Sequence, residues 1–156
     1  MKIAILAVGR LRAGPELELV TDYLGRFDRT GRPSGLGPAR VVEVEDRKNL
    51  GKEAEADLLR RALPEGALAV ALDERGRTLT SPEFAQEMLR WRDTGRQEVA
   101  FLIGGADGLA QDLRDRADLS LSFGRMVWPH MLVRVMLAEQ LYRAVTIAAG
   151  TPYHRS

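Results

Sequence analysis

The sequence of 156 residues contains no cysteine. That excludes thiol nucleophiles, zinc ribbons and any disulfide framework, and it fits a reducing, intracellular setting. Histidine occurs only at positions 130 and 154, so neither an HExxH helix nor a paired-histidine metal site can be built, and no metal is expected. No GxxxxGK[ST] segment occurs, which leaves a P-loop nucleotide hydrolase without support. Excess charge of one sign is missing too: 23 Lys and Arg face 22 Asp and Glu, so no whole-protein field would pull the chain onto nucleic acid. Any RNA contact must be local. Lysine is confined to positions 2, 48 and 52, and the other cations are arginine, whose planar fork suits phosphate contact and base stacking. A codon bias toward arginine and alanine would give the same composition. The apolar run Met1 to Val8 is too short to span a bilayer and meets Gly9-Arg10 without a cleavage-type sequence, so a cytoplasmic, membrane-free protein is expected.

What is present reads as one domain over residues 1–156, large enough to bury a continuous core. Apolar runs with β-branched residues predict strands at Lys2 to Val8, Arg40 to Val44, Ala67 to Leu72 and Val99 to Ile103. Helical stripes lie between them, at Pro15 to Phe27 and Lys52 to Leu63, and a third helix opens at Ser81-Pro82-Glu83 with Ser81 as N-cap. Alternating strands and helices argue an α/β sandwich with a mostly parallel sheet and helices on both faces. Asp28 to Pro38, rich in Gly and Pro and carrying Arg29 and Arg32, reads as a mobile surface loop.

Pro129, in a first turn, and Gly150, at a C′ position, bound a last helix that is apolar around most of its circumference. Such a helix must be covered on several sides, which points to a second copy of the chain and a homodimer. Glu139, Arg143 and Thr146 share one stripe of it, with Glu139 and Arg143 spaced as an i,i+4 pair. Arg134 points elsewhere, among Met131, Val135 and Ala138. It needs a carboxylate across an interface or an anionic ligand, unless it snorkels to the surface.

Three loops could hold chemistry. Gly104-Gly105-Ala106-Asp107-Gly108 follows a buried strand, where open α/β sheets bind ligands, although its spacing is not GxGxxG and a tight connection would look the same. Leu121 to Pro129 is apolar where a surface loop should be polar; its backbone could bond an adenine edge while Met126, Val127 and Trp128 pack on the ring. Leu72-Asp73-Glu74-Arg75-Gly76 sits just past a strand end and reads in isolation as an acid-bearing turn. Tyr153-His154-Arg155-Ser156 combines a stacking ring, an imidazole and a guanidinium, but composition alone makes it a frayed end.

Phe101-Leu102-Ile103-Gly104-Gly105-Ala106-Asp107-Gly108-Leu109, Leu119-Ser120-Leu121-Ser122, Pro129-His130-Met131-Leu132-Val133-Arg134-Val135, Ala138-Glu139-Gln140-Leu141-Tyr142-Arg143-Ala144 and the final Tyr153-His154-Arg155 resemble the RlmH family. These are bacterial 23S rRNA pseudouridine N3-methyltransferases of the SPOUT superfamily. The resemblance implies a C-terminal deep trefoil knot, an exception to the rule of unknotted chains. It implies S-adenosyl-L-methionine as cofactor, held by Leu72, Gly104, Phe123, Gly124, Arg125, Met126, Val127 and Trp128. It also implies a homodimer with composite sites, acting on the ribosome, with Arg143, Tyr153, His154 and Arg155 as catalytic residues. Met126-Val127-Trp128-Pro129-His130 departs from the Met-Thr-Phe-Pro-His frequent in that family and implies a bulkier pocket wall. The competing expectation is a ribosome-associated RNA-binding protein of the same fold that has lost catalysis.

Overall fold

The computed structural model describes residues 1–156. Five parallel strands form one sheet: β1 (Lys2–Val8), β2 (Ala39–Val44), β3 (Leu68–Thr78), β4 (Glu98–Ile103) and β5 (Leu119–Ser122), in the spatial order β2-β1-β4-β3-β5. Five helices cover it: α1 (Pro15–Gly31), α2 (Lys52–Ala62), α3 (Ser81–Asp93), α4 (Gln111–Arg116) and α5 (His130–Ala149).

Because both faces are covered, the central strands are continuous apolar runs with no polar alternation. A second alternation of period two is one of size. Ile3, Ile5, Val70 and Phe101 face α1, α3 and α5, whereas Ala4, Ala69, Ala71 and Ala100 lie with Leu6 and Leu102 under α2 and α4. The small-residue face lets that helical layer approach closely. No helix is long and apolar enough to cross a membrane.

Several local expectations need correction. The N-cap of α3 is Thr80, not Ser81: its hydroxyl accepts from the Glu83 amide at 3.2 Å while Glu83 Oε2 accepts from the Thr80 amide at 2.7 Å. This is a capping box. Ser81 instead donates to Gln140 Oε1 of α5 at 2.8 Å. Residues 28 to 38 are not a mobile loop: α1 runs on to Gly31, a 3-10 turn spans Arg32–Ser34, and Leu36 is buried. The Asp28 carboxylate anchors the exit by accepting from the Ala39 amide at 2.8 Å. Pro129 precedes α5 as its N-cap instead of occupying the first turn.

Arg134 neither crosses an interface nor snorkels. It is 1% exposed, and its guanidinium meets Glu43 Oε2 of β2 at 2.7 Å and donates to the Gly9 carbonyl at 3.1 Å. Glu43→Leu therefore strands a buried cation. Denaturant unfolding should show a loss of about 3 kcal/mol, the usual cost of breaking such a pair from one side. A change below half that would mean Arg134 finds other partners.

Candidate functional site

Three connections converge at the C-terminal edge of the sheet. In β3 the register slips between Leu72 and Arg77, both opposite Leu121, so residues 73 to 76 bulge outward. Gly76 permits the crossing: a Cβ there would lie 2.6 Å from the Ser120 backbone. Asp73 holds the bulge through Arg75, whose Nε and Nη2 donate at 2.9 and 3.1 Å, and through Arg114 at 3.6 Å. Burial alone would raise the Asp73 pKa, but the Arg75 hydrogen bonds and both arginine charges hold it below the usual carboxylate range. The turn acid is thus a structural clasp. Ser122 stitches the second loop to the first, donating to the carbonyls of Glu74 at 3.1 Å or Gly124 at 2.9 Å and accepting from the Gly124 amide at 3.0 Å.

The third connection is residues 104 to 108, closed by the Gly108 amide donating to the Gly105 carbonyl at 3.0 Å. A Cβ on Gly104 would meet the Gly108 backbone at 2.5 Å, and one on Gly105 would meet Glu55 Oε2 of α2 at 2.6 Å. Burial, then the charges of Asp46 and Asp107, raise the Glu55 pKa against a Gly105 backbone hydrogen bond that lowers it.

Between these loops lies a cleft of about 230 Å³. Leu72, Gly104, Phe123, Gly124, Met126, Val127 and Trp128 all line it, whereas Arg125, on the same loop, does not. Met126 and Val127 are 73% and 76% exposed, an apolar wall without cover. The backbone N–H and C=O groups of residues 125 to 128 make no hydrogen bond within the chain. Glu74 and Asp107 stand on the cleft outside any ion pair. Apolar walls, free backbone donors and acceptors, and unpaired carboxylates suit a ligand with a flat heterocycle and positive charge. S-adenosylmethionine, with an adenine, an ammonium and a sulfonium, fits that donor set.

One cleft residue is not among the sequence candidates: His130, the first residue of α5. It lines the cleft, and burial, then the charge of Arg134, lower its pKa. Its imidazole is therefore neutral at neutral pH. Below that lowered pKa a protonated ring would repel a cationic ligand, so affinity for S-adenosylmethionine should fall on acidification. Calorimetry between pH 7.5 and 5 on the parent and on His130→Gln tests this: the fall should be several-fold smaller in the variant. Identical pH dependences would remove His130 from cofactor binding.

The remaining sequence candidates gather elsewhere. At the far end of α5, Arg143 Nε donates to Glu139 Oε1 at 3.0 Å, and the Tyr153 hydroxyl donates to the same oxygen at 3.0 Å. The Arg143 guanidinium also stacks 4.9 Å from the Tyr153 ring centre, and Tyr142 packs on Tyr153 at 4.6 Å. The tail is docked at Tyr153 and His154, while Arg155 and Ser156 are exposed. Burial and the Glu139 carboxylate push the Tyr153 phenol far up, so it is a donor and not a base. Arg143 Nη1 lies 3.2 Å from His154 Nδ1. A guanidinium only donates, so Nδ1 accepts and the imidazole proton sits on Nε2. Arg143 stands 13 residues along α5 from His130, roughly 20 Å at 1.5 Å per residue. Within one chain the two groups do not meet.

The family described as "Predicted SPOUT methyltransferase" matches residues 1–154. A "Ribosomal RNA large subunit methyltransferase H" of Cereibacter sphaeroides (strain ATCC 17025 / ATH 2.4.3) is 72% identical over 99% of both chains. The protein of the same name in Roseobacter denitrificans is 67% identical over the whole of both. Among solved structures, a probable methyltransferase from Bordetella pertussis Tohama I shares the fold with a TM-score of 0.52 at 19% identity, covering 92% of this chain and 95% of that one. A probable methylase family protein from Haemophilus influenzae Rd KW20 gives 0.51 at 12% identity, over 99% of this chain and 70% of that one.

Proposed function

Because the chain belongs to the SPOUT methyltransferases, and within them to the RlmH family, we propose that it methylates N3 of a pseudouridine in large-subunit ribosomal RNA on the assembled ribosome. The observation that carries this reading is the cleft at the strand ends, where Leu72, Gly104 and residues 123 to 128 meet around free backbone groups. In this family the C-terminal segment is threaded as a trefoil knot, and residues 73–76, 104–108 and 123–128 are the loops that surround the cleft here. S-adenosylmethionine, when bound, would supply an electrophilic methyl carbon on a sulfonium, with the neutral thioether as leaving group for a nucleophile placed in line.

This chain's residues then position and balance charge. Gly104 gives close backbone approach, residues 125 to 128 present backbone groups to the adenine edge, and Met126, Val127 and Trp128 pack on its ring. Arg143 and Arg155 hold phosphate and stabilise the anion formed as N3 loses its proton, and Tyr153 orients the base. With Nδ1 engaged by Arg143, His154 hydrogen-bonds the N3 anion through Nε2–H, and the N3 proton itself passes to solvent water. The tail end of α5 reaches a cleft only if it belongs to another copy, so the working unit is a homodimer. Two further features favour it. Met131 and Leu132 on α5 and Leu19 on α1 are each about 40% exposed. The cleft of one chain is also smaller than the 300–1,000 Å³ of typical ligand sites.

His154→Ala and Arg155→Ala should each slow methylation of unmodified ribosomes at least about a hundredfold, the low end of what general acid–base or electrostatic groups contribute. Parent rates in both would sink the assignment of the tail. For the whole reading, calorimetry with S-adenosylmethionine discriminates. No heat at millimolar cofactor would favour the non-catalytic RNA-binding protein.

A further inference from the structure

Resting on that reading, we propose that Arg10 and Arg12 form a prebuilt docking arm for ribosomal RNA phosphates at the rim of the cofactor cleft, fixed in place by the buried Arg134–Glu43 pair. Both arginines are exposed and belong to none of the chain's ion pairs. The backbone on either side of Arg10 is held from beneath. Arg134 donates to the Gly9 carbonyl at 3.1 Å, and Glu43 Oε2, which also meets Arg134 at 2.7 Å, accepts from the Leu11 amide at 2.6 Å. Leu11 is buried at 7% exposure, so its neighbours Arg10 and Arg12 are turned outward.

A buried ion pair adds little stability over a well-packed apolar substitute, but an apolar substitute could not bond the Gly9 carbonyl and the Leu11 amide as Arg134 and Glu43 do. The geometry so specified is that of a four-residue segment following β1. The segment abuts the site: a Cβ on Gly9 would lie 3.8 Å from Nε2 of the cleft residue His130. Elsewhere on the rim Glu74 and Asp107 face the cleft, Arg75 is paired with Asp73 and Arg47 lies 3.6 Å from Glu45, which leaves exposed Arg125 as the other cation outside any ion pair. With a net charge of only +1, the chain must bind a polyanion through such local cations. Guanidinium groups on a fixed backbone suit phosphate oxygens, and removing them weakens binding without regard to the cofactor.

The test uses ribosomes from a strain lacking this chain and steady-state methylation over a range of potassium chloride. For the double variant Arg10→Gln/Arg12→Gln, KM for ribosomes should rise about tenfold with kcat and S-adenosylmethionine affinity unchanged. The dependence of log kcat/KM on log salt should become shallower by about 1 to 2, one unit for each phosphate that is no longer neutralised. Arg10→Lys/Arg12→Lys should restore the salt slope, and Arg96→Gln, before β4 at the opposite edge of the sheet, should match the parent. A glutamine variant with parent KM and slope overturns the arm, as does one whose cofactor affinity falls in step with its ribosome affinity. If the parent chain itself methylates no ribosomes, the functional reading fails and takes the arm with it; an active parent with an unaffected variant overturns the arm alone.

Discussion

Gly104→Ala should weaken S-adenosylmethionine binding about a hundredfold, close to 3 kcal/mol at 1.4 kcal/mol per tenfold. The atoms that an added Cβ would meet are the Gly108 carbonyl carbon and oxygen at 2.5 Å and the Leu109 amide nitrogen at 2.8 Å. All are backbone, so no side-chain rotation relieves the clash and the 104 to 108 loop must move as a unit. Overpacking of this kind costs about 1–3 kcal/mol, and here it falls on a loop that forms one wall of the cleft. Gly66→Ala is the control. Gly66 also needs relief from a side chain, at φ 77°, yet an added Cβ there meets nothing within 4 Å. That variant should lose stability and keep cofactor affinity. Calorimetry on both proteins, with circular dichroism to verify folding, decides: parent-like affinity in folded Gly104→Ala would remove this loop from the cofactor site.

Mixing two impaired variants, at a cofactor concentration too low to fill the weakened cleft, should restore activity. Gly104→Ala disables a cleft and Arg155→Ala disables a tail, and the two lie at opposite ends of α5. If each working site joins the cleft of one copy to the tail of the other, a mixed dimer contains one site with both lesions and one with none. Random reassortment in equal amounts makes half the dimers mixed, each with one good site of two, so about a quarter of the parent rate should return. Were cleft and tail drawn from the same chain, every site in the mixture would carry a lesion. Ribosome methylation after unfolding the variants together and refolding them as a mixture is the measurement. A rate no higher than that of either variant alone would sink the composite site.

The elements that sequence reading located were those with strong periodic signals. β1, β2 and β4 and helices α1 to α3 lie within a few residues of expectation, because continuous apolar runs and 3.6-residue stripes are properties of local sequence. β5 and α4 were not anticipated as elements. Leu119–Ser122 alternates leucine with serine over four residues, and Gln111–Arg116 buries only Leu113 among its residues, so neither carries a pattern above background. The 28 to 38 segment misled for the opposite reason. Its Gly and Pro content signals a loop, and burial of Leu36 with backbone hydrogen bonds linking Gly35, Gly37 and Pro38 with Met1 and Ile3 fixes it against the start of the chain.

The candidate site divides in the same way. Seven of the eight cofactor candidates line one cleft, because strand ends in a parallel sheet share an edge and the loops after them are neighbours whatever their sequence separation. His130 was missed because its environment, Gly9 on one side and Arg134 beneath, comes from elements far away in the chain. The partner of Arg134 is likewise 91 residues distant, on a strand whose facing could not be derived from α5.

Of the absences in this chain, the lack of cysteine, of paired histidines and of net charge already excluded disulfides, histidine-based metal sites and long-range attraction to RNA, because those depend on inventory alone. Alternation of elements likewise set the α/β class. Tertiary structure decided what each charged group is for. Asp73 became a clasp for Arg75, Glu139 a shared acceptor for Arg143 and Tyr153, and Glu43 the counter-charge that pins Arg134 under Gly9 and Leu11. A count of 23 against 22 charges cannot distinguish these roles, since pairing depends on distances of a few ångström that only the folded chain creates.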